Sequence, residues 1–347
     1  MNVSDFDFDL PPELIAQEPP AIRGTSRLLV LDRRTGGITH RGMAQLPELL
    51  QPGDLLVVNN TKVFPARLLG HRMPSGGRVE CLLIARTGDD RWEALLHPGQ
   101  KLKPGARIRF DGAPTLLAEV LERRFYGRRL IRLSTEDGSD VDAAIDATGH
   151  VPLPPYIHRP DESSDRLRYQ TVYARARGSV AAPTAGLHFS ESLLAALEAR
   201  GIERAEITLH VGYGTFKPVR VDQVEAHRVD AERYEVGEAA ATAVNRALDE
   251  GRRVLAVGTT TTRTLEAVAA AHGGRLAAGV GETDLFIYPG FRFQVLSGLL
   301  TNFHLPCSSL LMLVCAFAGR EHVLAAYRAA VSDRYRFYSY GDAMLSY

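Results

Sequence analysis

Apolar and polar positions alternate in two different ways along this chain, and the change falls near Val63. Before it, ELIAQ (13–17) and LPELL (46–50) have helical spacing, while RLLVLDR (27–33) and LLVVNN (55–60) are apolar runs bounded by turns and read as strands. After it come the short β-type runs ARLLGHR, GGRVECLLIAR, RWEALLH, ARIRF, LLAEVLERR and RRLIRLS. The turns between them, MPSGG, TGDD, HPGQKLKPG and FDGAP, are rich in Gly and Pro, which predicts a small barrel or sandwich. It ends near Gly149, ahead of the proline-rich VPLPPYIHRPDE.

Helix and strand patterns then alternate. SESLLAALEARG (190–201) offers a Ser cap, a Glu in the first turn and a terminal Gly. EITLHVG, RRVLAVG and DLFIYPG read as strands; EAAATAVNRALDEG, TTRTLEAVAAAHGG, the apolar SSLLMLVCAFA and HVLAAYRAAVS read as helices. The prediction is an α/β (α+β) main domain formed by both chain ends, residues 1–62 and 153–347, with a small antiparallel β-barrel domain inserted at 63–152.

Composition narrows the function classes. The 41 basic and 41 acidic residues cancel, so no global field draws the protein to nucleic acid, and such a partner must be held by local patches. Three cysteines without CxxC spacing argue against a disulfide framework or a zinc site. The N-terminal MNVSDFDFDLPPELI has no signal-peptide character, and Leu310 to Ala318 is shorter than the roughly 20 apolar residues that cross a bilayer. A cytoplasmic protein without membrane association is expected.

No P-loop, HExxH, GxSxG or dinucleotide-binding GxGxxG is present. What stands out is a set of polar turns at element ends: AAPTAGLHFS (181–190), TLHVGYGTFKPV (208–219), VGTTTTRTLE (257–266), TNFHLP (301–306) and YSYGDAM (338–344). In open α/β sheets ligands bind beyond the carboxyl ends of strands, where free N–H groups and helix dipoles favour anions; Gly258-Thr259-Thr260 fits such a turn. Ordinary capping explains any one of these turns taken alone. His188, His210 and His304 each sit beside Gly, Thr or Pro at such an end, and imidazole is the usual proton carrier near neutral pH. A further cluster, LERRFYGRRLIRL (121–133), interleaves arginines with Phe125 and Tyr126, as a nucleic-acid surface does, or as a hairpin with a solvated basic face does.

Taken in order, these motifs resemble one family, the S-adenosylmethionine:tRNA ribosyltransferase-isomerases of queuosine biosynthesis. The resemblance runs nearly end to end, from SDFDFDLPPELIAQEP and PGDLLVVNNTKVFPARL through GSVAAPTAGLHF and TLHVGYGTFKPVR to TNFHLPCSSLLMLVCAFAG and YRFYSYGDAML. The chain departs from it at Cys307, where relatives tend to be polar, and in the middle threonines of VGTTTT.

The resemblance implies an enzyme that moves the ribosyl part of S-adenosylmethionine onto 7-aminomethyl-7-deazaguanine at the tRNA wobble position. Epoxyqueuosine-tRNA, adenine and methionine are the products. S-adenosylmethionine is a co-substrate, no cofactor or metal is implied, and a monomer is expected. The sulfonium acidifies C5′, so the chemistry needs a base and an acid, and His188, His210 and His304 are the candidates. Tyr213, Phe216, Tyr340 and Asp342 suit a sulfonium, and Arg263 suits the methionine carboxylate or a tRNA phosphate. Thr184, Gly186, Gly214, Thr215, Thr259, Thr260 and Asn302 complete the substrate-binding set, and Arg123, Arg124, Arg128 and Arg129 become candidate tRNA contacts. Two other classes remain: a methyltransferase, whose glycine-rich strand-end motif is missing here, and a non-catalytic RNA-binding protein, which leaves the His-bearing turns unexplained.

Overall fold

Strands Leu55–Asn59, Val254–Val257 and Gly298–Asn302 are buried at every position, as unbroken apolar runs covered on both faces must be. They form the centre of a nine-stranded sheet in the computed structural model, which describes residues 1–347 except for the side chains of Tyr126 and Phe216. The order is Gly279–Thr283, Glu232–Val236, Glu203–Leu209, Leu55–Asn59, Val254–Val257, Gly298–Asn302, Ala343–Ser346, Arg27–Leu31 and Ile38–Gly42. The four strands from Glu203–Leu209 to Gly298–Asn302 run parallel, with Val57 opposite both Ala205 and Ala256. Ala343–Ser346 is antiparallel to Gly298–Asn302, pairing Ala343 with Asn302, and parallel to Arg27–Leu31.

The period of two along the strands splits the core into two layers. Leu55, Val57, Val254 and Ala256 pack with Val244, Leu265, Leu311 and Val314 from the helices Glu238–Asp249, Thr259–Ala271 and Ser309–Ala318. Leu56, Val58, Leu255 and Val257 face the other way, onto Leu193 and Leu197 of the helix Glu191–Ala199. Each such side chain removed from water contributes roughly 1.5–3 kcal/mol before the entropy of ordering it is counted.

Ser308 caps the apolar helix, its Oγ accepting from Leu311 N–H at 3.2 Å. Gly319, at φ 83°, ends it, and the helix Arg320–Ser332 leaves at 116°. Among the described residues no single helix is long and apolar enough to cross a membrane.

Residues Arg67–Met73, Gly77–Arg86, Arg91–His97, Arg107–Phe110, Leu116–Arg123 and Arg128–Thr135 close into an antiparallel barrel. Its interior takes alternate residues, among them Leu68, Cys81, Leu83, Ile108, Val120 and Ile131, and the Asp140-capped helix Val141–Thr148 adds Ala144 and Ile145. The chain approaches the barrel through Thr61–Val63, which pairs in parallel with Ala176–Ser179. The fold class is therefore the expected one.

Two local expectations fail. ELIAQ is not a helix: only Pro12–Leu14 makes a 3-10 turn, because Phe337 N–H donates to Leu14 O and Ala16 N–H to Phe337 O, pulling the backbone straight. DLFIYPG is not a strand, since the Leu285 carbonyl is taken by Arg263 Nε, and the edge strand lies just before it.

Candidate active site

Three of the four central parallel strands end in the polar turns named above, Leu209 leading to His210, Val257 to Gly258, and Asn302 to Phe303 and His304, while the fourth, Leu55–Asn59, leads to Asn60 and Thr61. The turn Tyr338–Asp342 arrives at the same edge, because Ala343 pairs with Asn302. Beyond these ends, where open α/β sheets bind ligands, lies a small chamber of about 40 Å³. Thr184, Thr215, Thr259, Thr260, Asn302 and His304 all line it. Gly258 permits this approach: its φ of 91° favours glycine, and a Cβ there sits 3.5 Å from that of Ala185.

Asn302 organises one wall. Its Nδ2 donates to the Tyr338 carbonyl at 3.0 Å and to His188 Nε2 at 3.0 Å. An amide nitrogen only donates, so His188 Nε2 is unprotonated and its Nδ1–H points to Ser26 Oγ at 2.9 Å. Burial, reinforced by the positive charges of Arg336 and Arg23, lowers the His188 pKa to about 4. His304 pairs Nε2 with Thr301 Oγ1 at 2.8 Å, and burial lowers its pKa to about 3. Both rings are neutral at neutral pH. Neither has the near-neutral pKa expected of it.

His210 stands elsewhere. Its Nδ1 meets Thr61 Oγ1 at 2.9 Å, and burial followed by Arg233 lowers its pKa. It lines a second, wider cleft of about 570 Å³ between barrel and sheet, with Phe64 and Trp92 on one side and Tyr213, Gly214 and Glu232 on the other. Val211 lines both spaces. The three histidines thus occupy adjoining positions: His304 in the chamber, His188 behind Asn302, and His210 in the neighbouring cleft.

Several predicted binders serve the framework instead. Arg263 is buried, donating from Nη1 to Glu232 Oε2 at 2.5 Å and from Nε and Nη2 to the carbonyls of Leu285 and Thr283, which commits three of its five N–H donors to the framework. Tyr340 is buried with its OH on Asp165 Oδ1 at 2.9 Å, and Arg159 holds the same carboxylate. Asp342 accepts from the backbone N–H groups of Arg27 and Arg336 at 2.9 and 2.8 Å. Gly186 is a packing site, where a Cβ falls 2.3 Å from Tyr173 OH. The Phe216 side chain lies outside the described residues.

The arginine cluster divides. Arg123 and Arg124 are exposed at the hairpin tip beside Phe125, which is 88% exposed. Arg128 is turned to Asp230 and Glu93. Arg129 is 3% exposed, and its guanidinium donates to the carbonyls of Gly99, Leu102, Gly127 and Arg128, so no phosphate can reach it.

Sequence reasoning missed Tyr156, Tyr338 and Ser339, all in the chamber wall. The Tyr156 and Tyr338 rings meet edge-on at 3.8 Å between centroids, and Tyr156 OH hydrogen-bonds Ser339 Oγ. Tyr156 lies in VPLPPYI, which reads as a linker, and Tyr338 and Ser339 lie in the turn YSYGDAM, where Tyr340 and Asp342 were the residues singled out. Among the described residues no group of three or more His, Cys, Asp or Glu is placed to hold a metal ion.

A largely buried chamber without charged lining residues, at the carboxyl edge of a parallel sheet and beside a polar cleft under a small barrel, is the arrangement of an α/β small-molecule site. The chain belongs to the queuosine biosynthesis protein family, whose model matches residues 3–346. It is 54% identical over 345 residues to the S-adenosylmethionine:tRNA ribosyltransferase-isomerase of Heliobacterium modesticaldum, with 99% of each chain covered. The protein of that name from an Anaeromyxobacter species is 54% identical over 348 residues, again with 99% of each covered. The crystal structure of the S-adenosylmethionine tRNA ribosyltransferase from Thermotoga maritima is 40% identical, covers 99% of this chain and 100% of its own, and superposes with a TM-score of 0.56.

Proposed function

We propose that this protein is an S-adenosylmethionine:tRNA ribosyltransferase-isomerase acting on 7-aminomethyl-7-deazaguanine at the tRNA wobble position. It releases adenine and methionine and leaves epoxyqueuosine in the tRNA. In this reading residues 1–62 and 153–347 carry the chemistry, and the barrel within 63–152 helps to hold the tRNA. One observation supports it above the rest: the chamber and the barrel cleft adjoin through Val211, so a nucleoside held in one lies beside a base held in the other.

The roles follow from the environments. His188 and His304, held neutral by burial, orient Asn302 and Thr301 rather than donate protons. His210, fixed by Thr61 at the cleft, is the candidate for taking a proton from the aminomethyl group, which must be neutral to attack. Arg123, Arg124 and Phe125 supply an exposed basic and aromatic tip for tRNA.

The deciding experiment incubates the protein with S-adenosylmethionine and tRNA carrying the aminomethyl base, and follows adenine. Adenine release that depends on the modified base supports the reading. Release of adenosylhomocysteine assigns a methyltransferase, and tight tRNA binding without either product assigns a binding protein.

A further inference from the structure

The chamber wall contains two unused polar features of opposite kind. The helix Thr259–Ala271 begins at Gly258 with no side-chain cap, and its first internal bond there is Thr262 N–H to Gly258 O. The first-turn hydroxyls of Thr261 and Thr262 are turned back, Thr261 to Val257 O and Thr262 to Gly258 O. The N–H groups and positive dipole end of this helix therefore face the chamber where Thr259 and Thr260 line it. The second feature is Asn302, 2% exposed, whose nitrogen is committed to His188 and Tyr338 while its buried Oδ1 has no partner. A buried acceptor left unmade is costly, so this oxygen is a waiting partner for a donor.

Charge decides which donor and which anion. Among the described residues no Asp, Glu, Lys or Arg lines the chamber, and Arg263 is spent on Glu232. A phosphate finds no counter-cation there. A zwitterion has no net charge, and each of its ends matches one of the two features. We propose that the chamber receives the amino-acid end of S-adenosylmethionine, the α-carboxylate at the start of the Thr259–Ala271 helix and the α-ammonium on Asn302 Oδ1. This rests on the reading that S-adenosylmethionine is the co-substrate. The rings of Tyr156 and Tyr338 then wall the sulfonium, where a cation is favoured, and the nucleoside runs past Val211 and Thr215 toward the cleft of His210.

Calorimetric titration of the full chain with S-adenosylmethionine, its decarboxylated form and its deamino form tests this. Each missing end is expected to weaken binding about 10- to 100-fold, the effect of one charge-assisted hydrogen-bonding group. Thr259→Pro removes one N–H at the first helical position, where proline is tolerated. It is expected to weaken S-adenosylmethionine about 10-fold while leaving the decarboxylated form unchanged, whereas Thr259→Val, which keeps the N–H, preserves the preference. Equal affinity of the unaltered protein for all three ligands overturns the assignment, whatever the variants do. Equal affinity together with adenine release overturns this assignment alone; no binding of S-adenosylmethionine and no adenine release overturns the proposed function as well.

Discussion

Arg128 of the barrel donates from Nη2 to Asp230 Oδ2 at 2.9 Å, and Lys217 Nζ reaches the same oxygen at 2.7 Å. One carboxylate thus lies between a cation of the barrel and a cation of the segment that follows the GYGTF turn. Because the partners are partly exposed, the pair is worth no more than about 1 kcal/mol. Arg128→Ala is expected to shift the urea midpoint slightly and to leave the salt slope of tRNA binding unaltered. A slope reduced by about one per arginine removed would return Arg128 to the tRNA surface.

The hairpin tip should behave in the opposite way. Replacing Arg123 and Arg124 together with alanine is expected to lower the log–log salt slope of tRNA affinity by about 1.5, and Phe125→Ala to cost about 1–3 kcal/mol of binding if a base stacks there. Fluorescence anisotropy at several salt concentrations measures both, and unchanged affinity and slope would remove this tip from the interface. Arg129→Ala, by contrast, strips donors from four carbonyls and is expected to destabilise the fold by about 1–3 kcal/mol.

Arg263 and Glu232 are both nearly buried, so removing the cation leaves an uncompensated carboxylate. Arg263→Ala is expected to cost about 3–5 kcal/mol in chemical denaturation, far more than the surface pairs. The same Glu232 accepts from Gly212 N–H and Thr215 Oγ1, so Glu232→Gln should also loosen the turn that lines chamber and cleft. Full stability in Arg263→Ala would show that its guanidinium is not structural.

Acid should weaken the fold through His188 and His304. In the unfolded chain each imidazole takes a proton near its ordinary value of 6.5, whereas the folded values are about 4 and about 3. Between those limits the unfolded state binds more protons, so stability falls as pH drops through about 6.5 toward 4, by about 1.4 kcal/mol per pH unit for each ring. Urea midpoints measured from neutral pH downward check this, and His304→Gln should remove one ring's share of the slope. A flat profile across that range would mean that the rings are protonated in the fold.

Asp342 is expected to be structural. Asp342→Ala orphans the N–H groups of Arg27 and Arg336 and should lower the melting temperature, while adenine release per folded molecule persists. Loss of turnover at full stability would restore Asp342 to the binding set.

What was legible followed from periodicity. LLAEVLERR and RRLIRLS show the alternation of half-buried barrel strands, and LLVV the unbroken run of a central one. The edge turns could be read as strings because Gly, Thr, Asn and His crowd there. What stayed hidden depends on tertiary placement. Arg128 and Arg129 are neighbours on one strand, and only the barrel's closure makes one a surface cation and the other a buried clamp. The neutral state of His188 and His304 comes from burial, which no local pattern prints. Tyr156 and Tyr338 meet only after both segments fold against the strand ends.

The two-stranded ribbon of Thr61–Val63 and Ala176–Ser179 gives this arrangement an asymmetry of design freedom. The barrel hangs from the sheet at one border, and its far hairpin shares no wall with the small-molecule chamber. Charge at that tip can therefore drift with no retuning of the chamber. The crowded turns at the strand ends have no such latitude, since each supports more than one neighbour.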